Sequence, residues 1–125
     1  MKKQIKTDAA PAAIGPYSQG ISVGNTAFLS GQIPVNPADG SVPDGIAAQT
    51  KRVLENISAV LKARGLGLEN VVKTTVFLKN MGDFAVMNGI YGEFFGEPYP
   101  ARSTIEVARL PKDVLIEIEV VAVGE

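Results

Sequence analysis

Residues 114–123 near the C-terminus read VLIEIEVVAV, and this stretch carries the clearest indication of the fold. Apolar and acidic residues alternate along it, which is typical of a β-strand with one buried face. One face would carry Val114, Ile116, Ile118 and Val120, and the other would carry Leu115, Glu117, Glu119 and Val121. The apolar face needs a covering layer, so we expect helices elsewhere in the chain to pack on this strand.

Four further strands are predicted upstream of this stretch. Residues 20–23 and 26–30 are short β-like runs separated by Gly24-Asn25, a pair that favours a two-residue hairpin turn. The run VVKTTVFLK over residues 71–79 is rich in β-branched and aromatic residues, which indicates a central strand. The fourth strand is predicted over residues 102–107, where apolar and polar residues alternate again.

Two amphipathic helices are predicted between these strands. Asp44 is a candidate N-cap of the first helix, and Gly65 is the candidate residue that ends it. Asp83 and Gly96 have the same two roles in the second helix. The inward stripes are Ile46, Thr50, Val53, Leu54, Ile57, Val60 and Leu61 in the first helix, and Phe84, Met87, Tyr91, Phe94 and Phe95 in the second. The order β-β-α-β-α-β-β predicts an α+β fold, a single sheet with both helices packed on one face, related to the ferredoxin-like group.

Composition restricts both the size and the chemistry of the protein. A chain of 125 residues that is 46% hydrophobic fits one domain over residues 1–125. It has no histidine and no cysteine, which excludes Ser-His-Asp and Cys-His catalysis, thiolate zinc sites and disulfides, and we expect no metal or other cofactor. Its net charge of -1 argues against nucleic acid as the main partner. The N-terminal stretch MKKQIKTDAAPAAIG lacks a long apolar run, so we expect no secretory signal, no membrane span and a cytoplasmic location.

The last two strands are joined by ARLPKD, residues 108–113, which suggests a hairpin. Its register would pair Thr104 with Glu117 and Arg102 with Glu119 on the face away from the helices, with Ile105 and Val107 pointing towards the helices. Cross-strand ion pairs on a solvated face are the simpler interpretation of these charges. The apolar neighbours Leu115 and Val121 favour a different one, a face covered by another subunit with a pocket at the charged residues.

Three further features interrupt the apolar pattern. Asn88 lies on the inward stripe of the second helix beside Gly89, and Tyr17 lies in the turn-forming segment GPYSQG. Ser30 and Gly31 begin the loop SGQIPVNP, whose backbone amides could hold an anion or a water molecule. Each feature also has a structural explanation, because an amide can satisfy a loop carbonyl and a tyrosine can cover the edge of a sheet.

Five separated stretches carry a resemblance to a known family. They are IGPYSQG at residues 14–20, LSGQIPV at 29–35, VFLKN at 76–80 followed by DF and Asn88, PARS at 100–103 and IEIE at 116–119. With these stretches the chain resembles the RidA/YjgF family along essentially its whole length. The resemblance implies a chorismate-mutase-like α+β domain that assembles as a homotrimer with clefts between neighbouring subunits.

The same resemblance implies an activity. Members of the family hydrolyse reactive 2-imino and enamine acids, such as 2-iminobutanoate and 2-iminopropanoate released by pyridoxal-phosphate enzymes, to 2-keto acids and ammonia. Carried over to this sequence, Arg102 would bind the substrate carboxylate and Glu117 would position and activate water. The residues lining the cleft would be Tyr17, Ser30, Gly31, Asn88 and Thr104. Many members have a cysteine at the position of Thr104, so the hydrolysis would not need a thiol.

Other functional classes stay open at this point. A protonated C=N bond is already electrophilic, so a site without histidine or cysteine can hydrolyse it by orienting water and moving protons. A trimeric small-carboxylate-binding or chaperone-like protein would be non-catalytic. A ribonuclease-type translation inhibitor is disfavoured by the near-neutral charge and the lack of histidine. A chorismate-mutase-like rearrangement rests on fold analogy alone.

Overall fold

The computed structural model describes residues 1–124, and in this range it contains six strands and two α-helices. The strands are β1 (Lys3–Ile5), β2 (Gly20–Val23), β3 (Thr26–Leu29), β4 (Val71–Leu78), β5 (Ala101–Glu106) and β6 (Ile116–Val123), and the helices are α1 (Ile46–Ala63) and α2 (Phe84–Phe94). The predicted α+β class is confirmed. Strand β1 is an additional element, because three mostly exposed residues reading KQI carry no strand pattern of their own.

The six strands form one sheet in the order β1-β2-β3-β6-β4-β5. Strand β6 lies in its interior, between β3 and β4, so its apolar face is well placed to organise the core. Ile116, Ile118, Val120 and Ala122 are each 2% exposed or less. They belong to one core with the inward residues of α1 and α2, as the alternation in the sequence predicts.

The predicted hairpin between the last two strands is wrong. Strand β5 pairs in parallel with β4, and β4 lies between β5 and β6. Parallel neighbours need a crossover connection, and α2 supplies it between β4 and β5. By this register Arg102 is the neighbour of Thr74, which is fully buried on the helix side of the sheet. Arg102 and Thr104 therefore lie on the covered face, and Ile105 lies on the open face at 45% exposure, the reverse of the prediction.

The predicted end of α1 is confirmed, and its predicted N-cap is wrong. Gly65, at a φ of +80°, ends α1, and the N–H groups of Gly65 and Leu66 close back on the last turn. Asp44 is not the N-cap of α1, because Gly45 takes that position with a φ of +86°. Asp83 is at the N-cap of α2 but makes no side-chain capping bond. Neither helix in residues 1–124 is both long and apolar enough to cross a membrane.

Candidate functional site

Arg102, near the start of β5, is held against α2. Its Nη1 donates a hydrogen bond of 2.8 Å to Oδ1 of Asn88. Its Cζ lies 4.8 Å from the ring centroid of Tyr91 and 5.4 Å from that of Phe84, distances at which a cation is attracted to an aromatic face. The guanidinium is therefore fixed by one amide and two rings.

The tyrosine ring beside Arg102 is itself anchored in the core. The hydroxyl groups of Tyr91 and Thr74 form a buried hydrogen bond of 2.8 Å. Burial raises the pKa of Tyr91 above its ordinary value, against the smaller lowering effects of the Thr74 bond and the Arg102 charge. Tyr91 thus stays neutral and presents a fixed ring to the guanidinium.

A cavity of about 480 Å³ lies beside the guanidinium. It is lined by Asn88, Tyr91, Gly92, Tyr99, Pro100 and Arg102. Both ion pairs found within residues 1–124 lie elsewhere, so Arg102 has no carboxylate partner in the described part of the chain. A half-buried guanidinium with unused N–H groups at a cavity is suited to binding a planar anion such as a carboxylate.

Thr104 lies two residues after Arg102 on the same face of β5. Its Oγ1 is buried, and of the buried side-chain nitrogen and oxygen atoms in residues 1–124 it alone has no hydrogen-bond partner. Leaving a buried hydroxyl unpaired is unfavourable. Thr104 therefore offers a hydrogen-bonding group beside Arg102 that the fold does not use.

Glu117 lies on the opposite face of the sheet, where its neighbour on β4 is Phe77. Its carboxylate packs against the backbone at Gly31, and a Cβ at that position would lie only 2.9 Å from the carboxyl carbon. Burial, with a smaller contribution from the charge of Glu119, raises the pKa of Glu117 above its usual range. A carboxylate with a raised pKa is a better base towards water, and Gly31 makes room for it.

The loop next to Gly31 contains the remaining predicted residues. The Ser30 hydroxyl donates to the Ser18 carbonyl at 2.6 Å, and the Ser30 N–H donates to the Gln19 carbonyl at 3.0 Å. Tyr17, 52% exposed, lines a second cavity of about 250 Å³ together with Gly31. Ser30 therefore ties the Tyr17 loop to the segment that supports Glu117.

The predicted site residues form two groups that the sheet separates within one chain. The first group is Arg102, Asn88 and Thr104 on the helix side, and the second is Glu117, Gly31, Ser30 and Tyr17. Residues 1–124 hold no cluster of three acidic side chains placed for a metal ion. A single chain thus places Arg102, the predicted carboxylate-binding residue, and Glu117, the predicted water-activating residue, on different faces of the sheet.

Three residues that support the site are not evident from the sequence as site residues. Helical periodicity identifies Phe84 and Tyr91 only as core positions, although their spacing with Asn88 places all three on one side of α2. Gln19 is 3% exposed, and its side chain bonds the backbone of residues 7–11, which fixes the segment before Tyr17. No periodic signal marks Gln19, because it lies in a loop.

The chain matches a known protein family over nearly its whole length. The family model described as Endoribonuclease L-PSP matches residues 7–124. One relative is the 2-iminobutanoate/2-iminopropanoate deaminase of Escherichia coli strain K12, which is 56% identical over 126 aligned residues covering 98% of each chain. The match therefore extends over both halves of the candidate site.

Two solved structures from E. coli share the fold over the same length. The YjgF gene product matches with a TM-score of 0.94 and 55% identity over 98% of this chain and 99% of its own. TdcF with bound serine matches with a TM-score of 0.94 and 48% identity over 98% of this chain and 99% of its own. With its family model, its relatives and its fold in agreement, this chain belongs to the RidA/YjgF family, whose model carries the name Endoribonuclease L-PSP.

Proposed function

We propose that this protein hydrolyses 2-imino acids, such as 2-iminobutanoate and 2-iminopropanoate, to 2-keto acids and ammonia. The observation that carries the proposal is the guanidinium of Arg102, fixed by Asn88 and lacking a carboxylate partner within residues 1–124. Both substrates carry a carboxylate next to the C=N carbon. The 56% identical E. coli deaminase is named for them, and TdcF was solved with serine, which also has an α-carboxylate.

We propose in addition that the working unit is a homotrimer whose clefts combine Arg102 of one subunit with Glu117 of its neighbour. The sheet separates these two residues within a chain, so one chain alone cannot apply both to a small substrate. The open face of the sheet also exposes Phe28 at 49% and Ile105 at 45%, and a second copy would cover them. Three copies in a closed ring follow the assembly that the family resemblance implies.

Arg102 would bind the substrate carboxylate and fix its orientation. A guanidinium has five N–H donors, and Asn88 uses one, so enough remain for two parallel bonds to a carboxylate. The unpaired Thr104 Oγ1 on the same face can supply a further hydrogen bond. Orientation of this kind replaces a covalent nucleophile, because the C=N carbon is already electrophilic.

Glu117 would manage the protons of the reaction. Water adds to C2 of the protonated imine and passes a proton to the Glu117 carboxylate. The adduct of water and the imine is a carbinolamine. Glu117 returns this proton to nitrogen, the C–N bond breaks, and the hydroxyl proton goes to the departing ammonia as the keto group forms. The raised pKa of Glu117 favours both proton transfers near neutral pH.

We also propose the domain organisation of the protein and the compartment in which it acts. We take residues 1–125 as one functional domain, because elements from both ends of the chain contribute to one sheet and one core. Pyridoxal-phosphate enzymes that dehydrate threonine or serine would supply the imino acids, so we propose a cytoplasmic location beside them.

A coupled assay tests the function directly. A threonine dehydratase generates 2-iminobutanoate in the presence of semicarbazide, and we expect the purified protein to increase 2-keto acid at the expense of the trapped adduct. An unchanged ratio would overturn the proposed hydrolysis. In that case, binding of a small carboxylate would indicate a binding module, and cleavage of RNA by the same preparation would indicate a ribonuclease.

Mixed trimers test whether each cleft is shared between subunits. Arg102→Lys and Glu117→Gln chains, each nearly inactive alone, are unfolded together at equal amounts and refolded. About one quarter of the clefts then combine an intact Arg102 with an intact Glu117, since each position is intact in half of the chains, and activity should recover to that level. The matched control refolds each variant alone. Recovery no greater than in the controls would show that one chain supplies both residues.

A further inference from the structure

Asn56 is a fully buried polar residue on the core side of α1. Its side chain is 0% exposed, and the buried residues next to it on the helix, Val53, Ile57 and Val60, belong to the apolar core. Burying an amide is unfavourable unless its hydrogen-bonding groups are paired. Core packing alone would favour an apolar side chain at this position, so the contacts of the amide need a separate explanation.

The amide of Asn56 forms hydrogen bonds in two directions. Its Nδ2 donates to the carbonyl of Ile33 at 3.2 Å and to the carbonyl of Val35 at 2.9 Å. Its Oδ1 accepts from Nε of Arg52 at 3.2 Å and from Nη2 at 3.0 Å. A guanidinium only donates, so Arg52 fixes the position of the amide oxygen and turns both N–H groups towards the two carbonyls.

The two carbonyls belong to the segment of residues 31–35, which we call the Gly31 loop. The Gln32 N–H donates to the Ile118 carbonyl at 2.8 Å, and the Ile118 N–H donates to the Gln32 carbonyl at 3.2 Å. This bridge ties the loop to β6 at the residue after Glu117, whose carboxylate packs against the backbone at Gly31. The loop is therefore held from two sides, by β6 through its backbone and by α1 through the buried amide.

We propose that Asn56, oriented by Arg52, is a positioning residue that holds the Gly31 loop against the Glu117 carboxylate. Without the amide, the buried Val35 carbonyl would lose this hydrogen bond, and the loop would shift to find another donor. The inference rests on the proposed role of Glu117 for its effect on turnover. The environment of the carboxylate can be measured without turnover.

The experiment uses the variants Asn56→Leu and Arg52→Met in the assembled protein. We expect Asn56→Leu to lower kcat by roughly tenfold or more and to leave KM within about twofold, because small displacements of a catalytic group slow chemistry strongly. Arg52→Met should lower kcat less, because the amide stays but is no longer oriented.

Carbon-13 NMR of the Glu117 carboxyl group during a pH titration gives the second measurement. Burial is the main cause of the raised pKa of Glu117, so a displaced loop that admits water should lower this pKa towards its ordinary value in both variants. The smaller cause, the charge of Glu119, is unchanged in both. Arg52→Met also removes a positive charge, which by itself would raise the pKa, so a fall cannot come from that charge.

The matched controls are Arg64→Met and Asn70→Leu. Arg64 donates to the Ser22 hydroxyl at 2.8 Å and to the Gly24 carbonyl at 3.0 Å, so it joins the end of α1 to the β2–β3 hairpin. Asn70 donates to the backbone at the end of β6. Neither side chain bonds the Gly31 loop, so both controls should lower the melting temperature and keep the wild-type kcat and pKa of Glu117.

Two results would overturn the positioning role. One is a wild-type kcat and pKa of Glu117 in a folded Asn56→Leu protein. If Asn56→Leu does not fold, Arg52→Met decides, and kinetics and titration equal to those of Arg64→Met would be the second. If the wild type hydrolyses no imine, the proposed function fails, and the titration alone decides: a lower pKa of Glu117 in the variants but not in the controls supports positioning, and an unchanged pKa overturns it.

Discussion

Arg102→Lys should lower kcat/KM for 2-iminobutanoate by about 100-fold while the protein stays folded and assembled. Lysine keeps the charge but offers a single ammonium in place of a planar pair of donors, and a charge-assisted bidentate bond contributes about 1.5–3 kcal/mol. The lysine also loses the contact of the guanidinium with the rings of Tyr91 and Phe84. Steady-state kinetics with the coupled imine assay measures the change.

The matched control for this substitution is Arg109→Lys. Arg109 is exposed and pairs with Asp113 on the surface, so the same chemical change there should leave the kinetics unchanged. Thermal melting checks that neither variant has lost its fold. If Arg102→Lys hydrolysed the imine as fast as the wild type, Arg102 would not be the carboxylate anchor.

Glu117→Gln should lower kcat by about 100-fold or more with a much smaller effect on KM, because a positioned general base contributes about 10²–10⁴ to a rate. Glutamine fits the space beside Gly31 but accepts no proton. The wild-type rate should fall as the pH drops through the raised pKa of Glu117, and this acidic limb should be absent from the residual activity of the variant. A pH profile of kcat for both proteins provides the measurement.

The same substitution should make the protein more stable at neutral pH. Burial and the neighbouring Glu119 raise the pKa of Glu117, so the folded state binds its proton more tightly than the unfolded state does. The ionised carboxylate therefore destabilises the fold above its unfolded pKa. Glu117→Gln removes this penalty, and its advantage in melting temperature should shrink as the pH falls to where both states are protonated.

Gly31→Ala gives a second way to disturb the same carboxylate. The added methyl group would displace the Glu117 side chain without changing its chemistry, and we expect a loss of kcat in the same direction. Gly82→Ala is the control, because a Cβ there meets no atom within 4 Å. Full activity in both Glu117→Gln and Gly31→Ala would remove Glu117 from the mechanism.

Some features of the candidate site can be predicted from residue patterns, and others cannot. Arg102 and Glu117 are recognisable as chemical groups from the sequence, and their roles stay predictions that the variants above test. The sequence does not reveal that Asn88, Tyr91 and Phe84 meet on one guanidinium, because that contact joins α2 to a strand that follows it. It also does not reveal that Gly31 makes room for Glu117, since the two positions are far apart in the chain.

The order of the helices and of five strands follows from the sequence alone, and so does the set of residues that share a face within each strand. Alternation along β6 separates Ile116 and Ile118 from Glu117 whatever the neighbouring strands are. The pairing of β5 with β4 through the α2 crossover, and not with β6, became known only from the three-dimensional structure. The residue pattern of a strand does not specify which strand it pairs with, because the backbone groups that pair strands are the same from residue to residue. Packing of the connecting helix selects the neighbouring strand. That choice put Arg102 and Glu117 on opposite faces of the sheet.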